Sequence, residues 1–472
     1  MTPTSTDHDR RPRRDRFRAR YVAVTVVLVV VGALAAVVGS QQGPRLRDVT
    51  YDPTGLVSKP AQRVILTANQ ALQPVRAADV RVRPAAAHTV TSSGNTIAVE
   101  FSGPLTYDRS YEIVVAGVRA PGQSSTGTLR AEVRTGSTDV LALVPAGSDG
   151  GKDRIVRRSL DAGGATTVYT DTGITEFARL GRSLVVVRDV GRGGSAVDVV
   201  PLSGGVQDDT VPVEHLTLPT SAGRVTALHA ADDGASFGFE YADTSTGRSA
   251  DVGLYVVDMT GTHMPTAIAA DGKPTTGAVP MTVGQWAYVP RTESALVRTS
   301  GDDLVLVDMS GAAAAVRLGS ATTLHGFVGS GTTAVVETGT GIEYLDLTDG
   351  ARTPVATPAG STDAPYLGRI APLTDATYLR VVGTVRADGT LDQRILRVEA
   401  TRASRLAVTL PADAGVTAVC PSPNGQFAAV VTRSATSELV SIVDATSGAL
   451  EASVEASTVD WCGALPTGDE VG

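Results

Sequence analysis

The sequence predicts an all-β protein led by one N-terminal transmembrane helix, with a β-sandwich followed by a seven-bladed β-propeller that the C-terminal strand closes. Three observations predict it. The chain has 50 glycines, is rich in valine, threonine and alanine, and is only 4% aromatic, the composition of a turn-rich β protein. A short unit recurs along its C-terminal two thirds at a mean spacing of about 47 residues, the period of strand-built propeller blades. An uncharged run, Val22 to Val38, lies close to the N-terminus.

The run comes first. It is preceded by Arg10, Arg11, Arg13, Arg14, Arg16, Arg18 and Arg20. At a rise of about 1.5 Å per residue it reaches about 26 Å, enough to cross a hydrocarbon core with flanking help, and arginines stay on the cytoplasmic side. The expectation is a single-pass protein of the cell membrane, with a cytoplasmic tail at 1–20, a membrane span at 21–39 and an extracellular bulk. A cleaved signal peptide is the alternative, because Ala33-Leu34-Ala35 and Val38-Gly39-Ser40 end in small residues. The run outlasts the usual ~7 to 15 apolar residues of a signal peptide, and no cysteine follows to take a lipid.

The formal net charge is −8, and the part beyond the arginine-rich tail is more acidic still. This disfavours nucleic acid and anionic lipid as partners. The remaining length exceeds one small core, so at least two domains are expected.

The first domain spans 45–137. Strand-like runs at Gln62–Ala68, Asp79–Arg83, Thr96–Phe101, Tyr111–Val118 and Thr128–Arg134 are separated by Gly, Pro, Asn and Asp turns, which suggests a sandwich. The stretches Arg63–Leu72, Val80–Pro84, Asn95–Phe101, Pro104-Leu105, Tyr111–Val115 and Arg134–Gly136 come in an order that resembles bacterial immunoglobulin-like domains of the S-layer type. Residues 120–125 depart from the turn expected there. The resemblance implies an Ig-like spacer or adhesive module.

The second domain spans 138–472. An apolar strand ends in Asp or a substitute, and a Gly-containing turn follows. Clear copies are Val257-Asp-Met-Thr-Gly261, Val307-Asp-Met-Ser-Gly311, Leu345-Asp-Leu-Thr-Asp-Gly350 and Val443-Asp-Ala-Thr-Ser-Gly448; variants at Ser159–Gly163, Val200–Gly204 and Val398–Arg402 bring the number to seven. Asp258, Asp308, Asp346 and Asp444 read as turn-capping residues. The first copy lacks one strand, while an orphan strand, Thr458–Cys462, is left at the C-terminus. The economical solution has residues 458–463 supply the innermost strand of the first blade, which removes open edges.

That closure places Cys420 and Cys462, the only cysteines, on the innermost strands of the last and first blades. In an oxidising exterior two cysteines most often pair, and this bond would staple the ring, worth ~2 to 4 kcal/mol. A metal site is disfavoured, since no CxxC or histidine pair accompanies them. The region resembles WD40-like and TolB-like propellers, most clearly at Cys420–Val430, although the Trp-Asp ending of true WD repeats is missing from the unit ends. The resemblance implies a binding platform.

No chemistry stands out. His88, His215, His229, His263 and His325 are scattered, and no metalloprotease helix motif, nucleophile elbow or Ser-x-x-Lys is present. The acidic pairs Asp208-Asp209, Asp232-Asp233 and Asp302-Asp303 could gather at an axial mouth for glycoside chemistry or calcium, but turn positions explain them more simply. Gly191–Gly194 and Gly329–Gly331 read as hairpins, because no helix N-terminus follows to cradle a phosphate. Trp286 and Trp461 sit in apolar patterns and are expected between blades. The expectation is therefore a non-enzymatic scaffold with no catalytic residue, metal or cofactor, its propeller presented to an envelope protein or glycan. The alternative is an extracellular propeller enzyme acting on glycans or peptides.

Overall fold

A computed structural model describes residues 12–40, 43–147, 150–160, 164–202, 213–220, 222–245, 252–386, 391–411 and 414–463, with helix side chains described over 17–32. The chain divides into two compact units. One is 1–105 with 109–136, and the other is 106–108 with 137–472.

The N-terminal segment is helical over Pro12–Ser40. Its described side chains, Phe17 and Val22 to Val31 among them, are exposed. The expected membrane span at 21–39 is not supported: among the described residues no helix is long and apolar enough to cross a membrane. The single-pass membrane localisation is withdrawn with it. The arginines at 10 and 11 lie outside the described residues.

The first unit pairs two antiparallel sheets. One runs in the order Leu46–Thr50, Arg63–Ala68, Thr96–Phe101, His88–Ser93; the other runs Val80–Arg83, Ser110–Arg119, Thr126–Arg134. Alternation puts Val64, Leu66, Ile97, Val99 and Phe101 of the first sheet against Val80, Ile113, Val115, Leu129 and Val133 of the second, as a period of two requires. A Cβ on Gly127 would fall 2.1 Å from the Pro44 carbonyl oxygen, so only glycine admits that crossing. Two strands escaped sequence reading. Leu46–Thr50 is short, and His88–Ser93 is a polar edge whose outward residues carry no apolar signal.

The second unit is a β-propeller. Among the described residues it holds seven antiparallel sheets. Sheet two (Ile174–Leu180, Ser183–Gly191, Gly194–Pro201, Glu214–His215) sets the pattern, with sequence neighbours paired in order. Sheet three starts at Gly223–Ala230 and adds a fifth short strand, Pro274–Thr275; sheets four to seven start at Val283–Tyr288, Thr323–Phe327, Tyr366–Thr374 and Gly415–Pro421. Sheet one is split. Asp139–Val144, Asp153–Ser159 and Ala165–Asp171 are completed by Thr458–Val459, which pairs with Leu143 and Ala142.

Each first strand touches the first strand of the next sheet. The succession returns to its start, because the turn Asp460–Cys462 touches both Gly415–Pro421 and Ile174–Leu180. The cores lie between sheets rather than inside one: Phe177, Leu184 and Val186 meet Leu141 and Ile155, while Trp286, Val297 and Val307 meet Leu254 and Ile268. Second strands are therefore covered on both faces, which explains unbroken apolar runs such as Leu184–Val187.

The closing segment differs from the expected strand at 458–463. Only Thr458–Val459 is extended, and Asp460–Cys462 turns as a 3₁₀ helix. The cause is Asp460, whose side chain accepts from the Leu141 amide at 3.0 Å and from Arg179 Nε at 3.0 Å, holding the chain off the ladder. The turn carries Cys462 to Cys420, with Cα atoms 4.9 Å apart and the disulfide formed.

Candidate functional site

The first strands of sheets two to seven all break register. The shift falls at Thr175, at Ala227-Leu228, at Gly284, at His325, at Gly368-Arg369 and at Thr417. A β-bulge bends its strand and re-aims the side chains around it. Here the bulges lie on the strands that surround the axis, so they decide what that axis is lined with.

Glu176, beside the first bulge, spans to the second. Its two carboxylate oxygens accept from the amides of Ala227 (3.2 Å) and Leu228 (2.8 Å). Ala227 has φ of 50°, and such a left-handed turn points successive amides at one anion. Glu240, on the second strand of sheet three, stands opposite Thr226 at the edge of that bulge.

On sheet four, Arg298 lies over Gly284. A Cβ there would sit 2.6 Å from Nη2 of the guanidinium, so the glycine makes the room. Arg298 donates from Nε to Gln285 Oε1 (3.2 Å) and from Nη1 to Asp302 Oδ1 (2.6 Å). The same Gln285 oxygen accepts from the Leu324 amide at 2.8 Å. Leu324 also receives Arg369, whose Nη2 donates to its carbonyl oxygen. Side chains from sheets four and six thus meet at one residue of sheet five.

His325 is buried in the bulge of sheet five. Its Nδ1 accepts from the Ile370 amide at 3.2 Å, and its Nε2 faces Glu337 Oε2 at 3.2 Å. The acceptor role of Nδ1 fixes a neutral ring protonated at Nε2. His229 lies edge-on to Trp286 with centroids 4.7 Å apart, and a Cβ on Gly463 would sit 3.3 Å from its ring. Trp286 is 4% exposed, and its indole N–H has no partner among the described residues.

Enclosure and mutual charge shift this cluster. Burial, then the Glu176 charge, push the Glu240 carboxyl up to about 7 against the opposing pull of Arg298. Burial raises Glu176 as well, opposed by the two amides it grips. Burial lowers His229 to about 4, and Arg369 pushes the same way. Burial and then Arg298 bring Arg369 down to about 10. Glu240 thus feels Glu176 and Arg298, and Arg369 feels Arg298 and is felt by His229; the perturbed groups Glu176, Glu240, His229 and Arg369 are a site candidate.

Most residues singled out from the sequence fall elsewhere. Asp258, Asp308, Asp346 and Asp444 cap turns: each accepts from the amide two residues ahead at 2.7–3.0 Å. Asp233 caps Ala235, Asp232 accepts from the Arg291 amide, and Asp303 pairs with Arg317. Asp208-Asp209, the turn at 204–205 and residues 161–163 lie outside the described residues. The 191–194 and 329–331 segments are hairpin turns. His215 meets Asp198, His263 meets Glu214 and His88 meets the Ala86 carbonyl. Trp286 is buried between sheets, and Trp461 is half-buried. Among the described residues no group of three or more metal-type ligands forms.

Sequence reading missed Glu176, Glu240, Arg298 and Arg369. A signal existed: Gly284, Gly326 and Gly368 interrupt apolar first strands, and glycine inside a strand marks a bulge.

No protein-family model matches the sequence, and no curated protein matches it. Solved structures do match. TolB from Acinetobacter baumannii is 14% identical over 76% of this chain and 80% of its own, with a TM-score of 0.36. An oligogalacturonate lyase in complex with manganese is 13% identical over 70% and 93%, with 0.41. Dipeptidyl peptidase 4 from Porphyromonas gingivalis is 12% identical over 67% and 59%, with 0.38. These are similar to the propeller, and the S-layer-type resemblance of the first unit is not shown. The expectation that the chain is not an enzyme is corrected: matched propellers include a lyase and a peptidase, so the fold gives no ground for excluding catalysis.

Proposed function

We propose that residues 138–472 form a seven-bladed propeller enzyme that cleaves a glycan or a peptide at its axis, with Glu240 as proton donor. Residues 45–137 serve as an immunoglobulin-like spacer. The cyclic succession of first strands supports the blade count, and the two facing sheets of the first unit support the spacer.

One observation carries the reading. Burial and the charge of a second carboxylate, Glu176, itself held by two amides, raise the Glu240 carboxyl to about 7, and no described residue hydrogen-bonds its side chain. Two carboxyls in unequal surroundings divide into donor and charged partner. With its carboxyl at about 7, Glu240 is about half protonated at pH 7 and more so below it, and that fraction can give its proton to a leaving oxygen or nitrogen as water takes the leaving group's place, while Glu176 and Arg298 hold the charge around it.

Turnover is measured on panels of oligosaccharides and peptides. Wild type should act best below about pH 7 and lose rate above it, and Glu240→Gln should lower kcat by about 10² or more. A folded Glu240→Gln protein with undiminished kcat sinks the reading.

A further inference from the structure

Arg298, whose charge acts on the proposed donor, acts also on a second guanidinium with no use in proton transfer. Arg369 sits inside the bulge of sheet six and is half-buried. Among the described residues its guanidinium makes one hydrogen bond, from Nη2 to the Leu324 carbonyl. Arginine offers five donors in a planar fork, and a buried cation left without an anion is costly.

The nearby carboxylates are engaged elsewhere or stand off. Glu176 is held by the Ala227 and Leu228 amides, Glu337 faces His325, and Asp302 takes Arg298. Glu240 feels Arg298 but forms no ion pair with Arg369. Arg298 is linked to Arg369 through the Gln285 side chain and the backbone N–H and C=O of Leu324. Arg298 repels Arg369, an anion beside Arg369 relieves that repulsion, and the planar fork suits a carboxylate.

We propose that Arg369, supported by Arg298, binds the carboxylate of the ligand, so that this axis selects acidic over neutral molecules. The inference rests on the reading above only for the shared location. A sugar acid and the free C-terminus of a peptide offer the same group, and the test separates them.

Binding to the full chain is measured by calorimetry with matched probes: a hexuronate trisaccharide against its neutral hexose counterpart, and an N-acetyl tripeptide acid against its amide. One acid should bind at least about tenfold tighter than its neutral partner, the margin of a charge-assisted pair. Which acid binds identifies the source. Arg369→Gln should reduce that acid to the level of its neutral partner. Should this variant fail to fold, Arg369→Lys keeps the charge, loses the fork, and should weaken the acid several-fold. The proposal is overturned if neither acid outbinds its partner, or if the folded Arg369 variant binds the acid as wild type does. An acid bound without turnover removes the catalytic reading and leaves the carboxylate site standing.

Discussion

Ala227 occupies a left-handed conformation, φ of 50°, that costs a residue with a Cβ about 1–3 kcal/mol unless its surroundings impose it. The surroundings here are a carboxylate: Glu176 accepts the two amides this conformation aligns. Glu240 completes the local balance and makes it depend on pH. Its carboxyl rises to about 7 on folding, mainly by burial, whereas an unfolded glutamate titrates near ~4.3. The folded state therefore holds the extra proton between those values. Its contribution is fully present below about pH 4.3, declines as pH rises, and is lost above about 7, amounting to up to about 3 kcal/mol. Urea midpoints between pH 4 and 8 should show this decline in wild type, and Glu240→Gln should lack that share of it. Parallel curves would show that Glu240 titrates normally.

At the scale of the element, the turn between third and fourth strands is the most repeated device. In the last sheet Asp444 Oδ1 accepts from the Thr446 amide (3.0 Å), the Ser447 amide (2.7 Å) and the Ser447 hydroxyl (2.8 Å). Asp444→Ala removes all three acceptors and should cost about 1–2 kcal/mol, read as a lower urea midpoint with an unchanged slope. A loss below 0.3 kcal/mol would mean that Gly448, at φ of 78°, sets this turn alone. These elements were legible because a capped turn is a local event, complete within five residues. The bulges were not. Whether Arg369 lies in register or in a bulge depends on how Tyr366–Thr374 pairs with Thr377–Val385, and apolar alternation is silent on a slip of one residue. Thr458–Val459 was legible as a strand, but its early end at Asp460 depends on Leu141 and Arg179, more than 280 positions away.

Across the whole second unit, stability is a chain of neighbour contacts, each sheet supported by two others. Such an arrangement is weakest where its ends meet. Sheet one is joined to the C-terminal segment through two paired residues and the Asp460 contacts, and the disulfide ties that segment to sheet seven. Cys462→Ser, or reduction, should lower stability by ~2–4 kcal/mol. Hydrogen exchange should show amides of Asp139–Val144 losing protection before those of Thr377–Val385 in sheet six. Uniform loss would indicate that the sheets open as one. The cyclic order was legible in the sequence because seven similar units leave one strand over. The site was not, because its members come one or two from each of sheets two to six and share no local spacing.

The register breaks of the first strands have a further consequence. First-strand residues such as Phe177, Leu228 and Trp286 share the hydrophobic stacking between sheets with the second and third strands, but the bulge residues Thr175, Gly284, His325, Arg369 and Thr417 stand outside those cores and can be exchanged without removing an apolar contact from them. Sheets two, four, five, six and seven thus each offer an interchangeable bulge position, and new specificities could arise by drift at five such positions while the scaffold that holds them stays untouched.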